Sequence, residues 1–109
     1  MANQAPAEFE NVRVQCKANI YFDGKVVSHS IFLSDGSKKN IGIIFPGTFA
    51  FKTDGAERME ITAGSCRVRI GDEKIWQNCA AGNNFKVPAH SSFEIAVDQA
   101  TAEYICSFE

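Results

Sequence analysis

The run Glu57-Arg58-Met59-Glu60-Ile61-Thr62-Ala63, followed by Cys66-Arg67-Val68-Arg69-Ile70, alternates polar and apolar side chains at a period of two. Successive side chains of a strand point to opposite faces. Met59, Ile61 and Ala63, then Cys66, Val68 and Ile70, therefore mark the buried faces of half-exposed strands. The same alternation returns at Phe93, Ile95 and Val97 and at Tyr104, Cys106 and Phe108. Turn pairs separate such runs at Asp23-Gly24, Asp35-Gly36, Pro46-Gly47, Asp54-Gly55, Gly71-Asp72 and Gly82-Asn83,. No stretch of eleven or more residues carries a helical apolar stripe, because Gly, Pro or β-branched residues interrupt each candidate. About eight short antiparallel strands follow, in an all-β sandwich or barrel.

Outward from these strands the chain is a single unit. Its 109 residues suffice for one core without metal or disulfide staples,. Residues 1–8 read as a loose tail and residues 9–109 as the domain. With 11 Lys+Arg against 13 Asp+Glu, the net charge of −2 offers no basic field for nucleic acid or anionic lipid,. Uninterrupted apolar runs reach about four residues, far from the ~20 of a membrane helix. The first residues show neither a cationic start nor an apolar segment, so a cytoplasmic location is expected. Cys16, Cys66, Cys79 and Cys106 have no metal-ligand spacing and read as small apolar residues packed in strands,. Gly36-Ser37-Lys38-Lys39-Asn40 reads as a solvated hairpin tip.

Two stretches resemble the paired motifs of the cupin superfamily of small β-barrels. Gly42 through Phe49-Ala50-Phe51, Glu57 and Gly64 follow the first; Gly82, Pro88-Ala89-His90 and Phe93 follow the second. The implied fold is a single-domain double-stranded β-helix, a jelly-roll barrel. Where metal cupins carry imidazoles, this chain has Phe49, Phe51 and Phe93. Phenyl rings donate no lone pair, and Glu57 alone cannot hold a transition metal, so no metal is expected.

More narrowly, the chain is similar to the pyrimidine/purine nucleoside phosphorylases of the small-cupin type. The resemblance rests on the ordered set Asn19-x-Tyr21-Phe22-x-Gly24-Lys25-Val26-x-Ser28, Pro46-Gly47-x-Phe49-x-Phe51, Glu57-x-Met59-x-Ile61-x-x-Gly64, Phe85-x-Val87-Pro88-x-His90-Ser91-x-Phe93 and Tyr104-x-Cys106. It implies broad, reversible phosphorolysis of ribonucleosides to free base and ribose 1-phosphate, with inorganic phosphate as co-substrate and no cofactor.

That chemistry needs an apolar slot for the base, a clamp for the ribose hydroxyls, an anion site, and help for an oxocarbenium-like transition state. Glu57 shares a strand face with Met59 and Ile61, so it points into the barrel mouth, either to serve the sugar or as a rim carboxylate satisfied by backbone. Phe49, Phe51 and Phe93 are either core or a stacking site for any base, with Met59 beside them. His90 and Ser91 follow Pro88 in a loop that is either an anion nest and proton donor or a rigid polar turn. Glu57 and His90 are thus the catalytic candidates, and Phe49, Phe51, Met59, Ser91 and Phe93 the substrate-binding ones. Arg58, Arg67, Arg69 and Lys86 alternate with core residues and should face outward. That leaves Lys25, His29 and Lys52 as cations for phosphate, or an arginine reaching a neighbouring subunit's site. Trp76 and Tyr21 fit either the core or an interface. Edge strands that need covering predict a homodimer. The competing functional class is a non-catalytic cupin that binds a small metabolite.

Overall fold

The computed structural model describes residues 5–109; residues 1–4, half of the expected tail, lie outside the described residues. Ala5 to Glu8 run without regular structure along an outer groove they share with Ile41 and Ile105. Ten strands follow: β1 (Arg13–Val14), β2 (Asn19–Tyr21), β3 (Val26–Phe32), β4 (Lys38–Ile44), β5 (Gly47–Lys52), β6 (Glu57–Ile70), β7 (Gln77–Ala80), β8 (Asn84–Val87), β9 (Ser92–Val97) and β10 (Ala102–Phe108). A single 3-10 turn, Phe22–Gly24, joins β2 to β3.

All pairings are antiparallel. One sheet runs from β1 and β2, end to end along one edge of β3, through β4, β10 and β6 to β8. The second is ordered β5, β9, β6, β7. β6 belongs to both, its first half paired with β10 and β8 and its second half with β7 and β9. The two alternating runs that read as separate strands are therefore one 14-residue strand that turns the corner of the barrel,.

Gly64 makes that corner possible. It takes φ +77°, and a Cβ there would run into the carbonyl oxygen of Thr101. Two residues before it the register with β10 slips between Glu103 and Tyr104, a bulge that leaves Thr62 as an extra residue on β6 and bends the strand,.

The core fills the space between the sheets. Val26, Ile44, Ile61 and Ile95 are at most 1 % exposed, with Val68, Val87, Val97 and Ala102 packed among them. The architecture is the cupin-type jelly-roll barrel. Three cysteines are buried as expected, but Cys16 is exposed, because it falls in the turn between β1 and β2 rather than in a strand.

Candidate active site

Registers place the inward side chains of the first sheet in rows. Ser28, Gly42, Tyr104 and Ile61 form one row. Ser30, Asn40, Cys106, Met59 and Phe85 form the next, one step nearer the strand ends. Beyond them lie Lys38 on β4 and the Phe108, Glu57, Val87 set on β10, β6 and β8. The second sheet opposes these with Phe51 and Phe93, paired across β5 and β9.

Between the two sheets lies a cavity of about 330 Å³, lined by members of each row and by Phe51 and Phe93, together with Tyr21 and Lys52. Its walls differ in chemistry. On the aromatic side, Phe51 and Phe93 stack with ring centres 5.3 Å apart and planes 20° from parallel. Tyr21 meets Phe51 edge-on at 6.4 Å, and Phe85 meets Phe93 at 5.7 Å. On the polar side, the Asn19 amide donates to the Ser28 and Ser30 hydroxyls at 3.2 and 3.1 Å, and Ser30 donates to the Asn40 carbonyl oxygen at 2.9 Å. Buried polar groups so linked avoid the cost of an unmet hydrogen bond. Tyr104 fits because Gly42 opposite has no side chain: a Cβ at Gly42 would lie 2.6 Å from the phenol.

Glu57 is the one carboxylate on this wall. Burial pushes its pKa above the ordinary glutamate value, with Asp54 reinforcing the shift and the Cys106 thiol opposing it by donating to Oε1 at 3.5 Å. Burial, helped by the nearby Glu57 charge, raises the Cys106 thiol far above neutrality, so it acts as a protonated donor,. Burial likewise takes the Tyr104 phenol up to about 12. A carboxylate and a protonated thiol do not fit a transition metal, which takes three or four N, O or S ligands. Among the described residues, no three His, Cys, Asp or Glu side chains gather where they could hold an ion.

Of the residues singled out from sequence, Glu57, Met59, Phe51 and Phe93 meet in this cavity. Phe49 does not line it: the ring is buried against Phe22, at 5.0 Å, and belongs to the core. His90 and Ser91 do not line it either. His90 sits exposed at φ +54°, its amide bonded to the Asp54 carbonyl, while the Ser91 amide donates to Thr53 Oγ1. Thr53 in turn donates to the Pro88 carbonyl at 2.7 Å. The loop is a turn clamped to Thr53 and Asp54, with both amides that could have formed an anion nest already engaged.

Some of the cations also differ from expectation, while Arg67 and Arg69 stay outside the cavity as alternation predicts. Arg67 makes two hydrogen bonds to Asp98 and Arg69 one to Glu94, and both guanidinium groups stack on Trp76 at 5.0 and 4.5 Å. Arg58 pairs with Glu60 at 3.8 Å, and Glu60 is 8 % exposed, so this outward face is not the open surface that alternation predicts. His29 contacts the Gln15 carbonyl, away from the cavity. Lys52 lines the cavity, and so does Lys38, assigned from sequence to a hairpin tip. Its signal lies in the phase of Lys38, Asn40, Gly42 and Ile44, which share one face of β4.

A cupin-type barrel with one half-buried carboxylate facing a stacked aromatic wall across a cavity defines a small-molecule site. The chain belongs to the pyrimidine/purine nucleoside phosphorylase family, whose profile matches residues 16–108. It is 52 % identical over 103 residues to the pyrimidine/purine nucleoside phosphorylase of Cupriavidus taiwanensis, covering 94 % of this chain and 97 % of that one. The protein of the same name from Thiobacillus denitrificans is 49 % identical over 102 residues, with 94 % and 98 % covered. A crystal structure of a protein of unknown function from Acinetobacter superposes with a TM-score of 0.93 at 40 % identity, covering 95 % of this chain and all of the other. Bacillus subtilis oxalate decarboxylase shares the fold alone, with a TM-score of 0.73 at 16 % identity, over all of this chain and 32 % of that one.

Proposed function

We propose that the protein is a broad-specificity, reversible ribonucleoside phosphorylase that needs no metal or organic cofactor, and that it acts in the cytoplasm as a homodimer. The observation that carries this reading is the pairing, across one cavity, of stacked Phe51 and Phe93 rings with the Glu57 carboxylate in a member of this family. At about 330 Å³ the cavity suits a small ligand, near the lower end of the roughly 300–1,000 Å³ common for such sites,. Aromatic faces accept purines and pyrimidines alike, because every base has a π-face. Asn40, Ser28 and Tyr104 offer hydrogen bonds to ribose hydroxyls from the opposite wall. The four free cysteines suit a reducing compartment,.

In the reaction, a phosphate oxygen forms a bond to C1′ as the C1′–N glycosidic bond breaks and its electron pair leaves with the base nitrogen. The proton of monohydrogen phosphate ends on that nitrogen, so base and ribose 1-phosphate balance nucleoside and phosphate in atoms and charge. Positive charge builds at C1′ before the new bond is complete. An ionised Glu57, held in a poorly solvated site, stabilises that charge without reorganising.

Chromatography of uridine or adenosine incubated with the protein tests the reading. Free base and ribose 1-phosphate are expected only when inorganic phosphate is present. Nucleoside that binds but stays intact at saturating phosphate would leave a non-catalytic binding cupin.

A further inference from the structure

We infer that Lys38 and Lys52 together form the oxyanion clamp of this cavity, holding inorganic phosphate at the barrel mouth; the inference rests on the phosphorolytic reading of the site. The two lysines come from opposite sheets, β4 and β5, yet border the same cavity. Lys38 stands on the inward face of β4, two residues from Asn40, and its ammonium lies 5.3 Å from the centre of the Phe108 ring at the strand ends. A neutral ring is a weak partner for a cation at an exposed site, and a phosphate would displace it.

Neither lysine belongs to an ion pair among the described residues. The neighbouring cations are committed elsewhere: Arg67 and Arg69 to Asp98, Glu94 and Trp76, and Lys39 to the Ser107 hydroxyl at 2.7 Å. Placed between the lysines, a phosphate lies beside Glu57, which by itself would repel it; two positive charges outweigh that one negative charge. The same arrangement sets the order of the ligands along the barrel. Phosphate sits at the Lys38 and Glu57 level, the ribose one row deeper beside Asn40, and the base against Phe51 and Phe93.

Two measurements test the clamp: titration of the protein with inorganic phosphate alone, followed by phosphorus NMR, and the KM for phosphate at saturating uridine. Lys38→Ala and Lys52→Ala should each weaken both by about 10- to 100-fold, the scale of a lost charge-assisted hydrogen bond. Lys38→Arg, which keeps the charge, should recover most of the loss. Lys74→Ala, in the exposed turn before β7, should change neither quantity. Because both lysines are exposed, the variants should keep the parent melting temperature. Phosphate affinity and phosphate KM unchanged in both alanine variants, with turnover still phosphate-dependent, would overturn the clamp and leave the phosphorylase reading standing. Release of base in the absence of phosphate would overturn the phosphorylase reading, and the clamp with it.

Discussion

Glu57 is half-buried, and burial makes its ionised form unfavourable, yet the proposed chemistry requires the charge. Activity should therefore rise with pH along an acid limb lying above the ordinary glutamate range. Glu57→Gln should abolish that limb and lower kcat roughly 10²- to 10³-fold, the scale seen when one preorganised electrostatic group is removed. Stability should move the opposite way. A carboxyl whose folded pKa exceeds its unfolded one binds its proton more tightly in the folded state, so its contribution is complete below the unfolded value and is lost as pH rises through the folded one. Glu57→Gln should accordingly lose less melting temperature than the parent protein between acid and neutral pH. An unchanged rate per folded molecule, with a lower melting point, would make Glu57 a structural rim carboxylate.

The cysteines give a second check at this scale. Burial raises the Cys66 thiol to about 12 and shifts Cys79 and Cys106 upward as well, while Cys16 is exposed. Iodoacetamide at neutral pH should modify Cys16 in the folded protein and all four thiols after unfolding. Labelling of Cys106 in the native state would show the cavity opening to bulk reagent.

The elements show where alternation carries an argument and where it stops. Period-two reading puts Glu57 on the Met59 and Ile61 face, and that placement recurs in the barrel. It stops at Thr62, the extra residue of the bulge, because a bulge is a relation between two strands and the β10 partner is invisible in the β6 sequence alone. Lys38 escapes for another reason: a charged side chain beside Asp35-Gly36 reads as a solvated tip, although its phase with Asn40 and Gly42 points inward. The His90 loop misleads through composition, since only its closure onto Thr53 and Asp54 reveals that its amides are engaged.

Gly64 and Gly42 have different predicted costs. Gly64→Ala combines positive φ with a collision against backbone that cannot rotate away, so a loss of roughly 3 kcal/mol is expected in denaturant unfolding,. Gly42→Ala meets only the Tyr104 side chain, which can swing aside. Its stability should fall less, while the displaced phenol should raise the KM for nucleoside. A Gly64→Ala protein as stable as the parent would refute the corner assignment.

On the whole molecule, the apolar surface left uncovered argues for a second copy of the chain. Ile20 on β2, 64 % exposed, stands in register with Val27 on β3 and Ile43 on β4, with Ile41 and Phe45 nearby at 41 % and 38 %. A row of aliphatic side chains across three strands is self-complementary about a two-fold axis, the commonest symmetry of soluble oligomers. Sedimentation at micromolar concentration should give about twice the 12.0 kDa chain mass, and Ile20→Glu should reduce it to one chain with the strand signal intact in circular dichroism. The dimer would also bear on the site. β2 is three residues long and, among the described residues, pairs only with β3, yet it carries Tyr21, whose ring closes the aromatic wall against Phe51. Covering Ile20 restrains that short edge strand, so the monomeric variant should show a several-fold higher KM for nucleoside with kcat little changed, because Lys38, Glu57 and Phe93 stay on strands held on both sides or by the second sheet. A parent mass near 12 kDa would refute the dimer. A monomeric Ile20→Glu protein with parental KM would show instead that β2 holds Tyr21 in place without a partner.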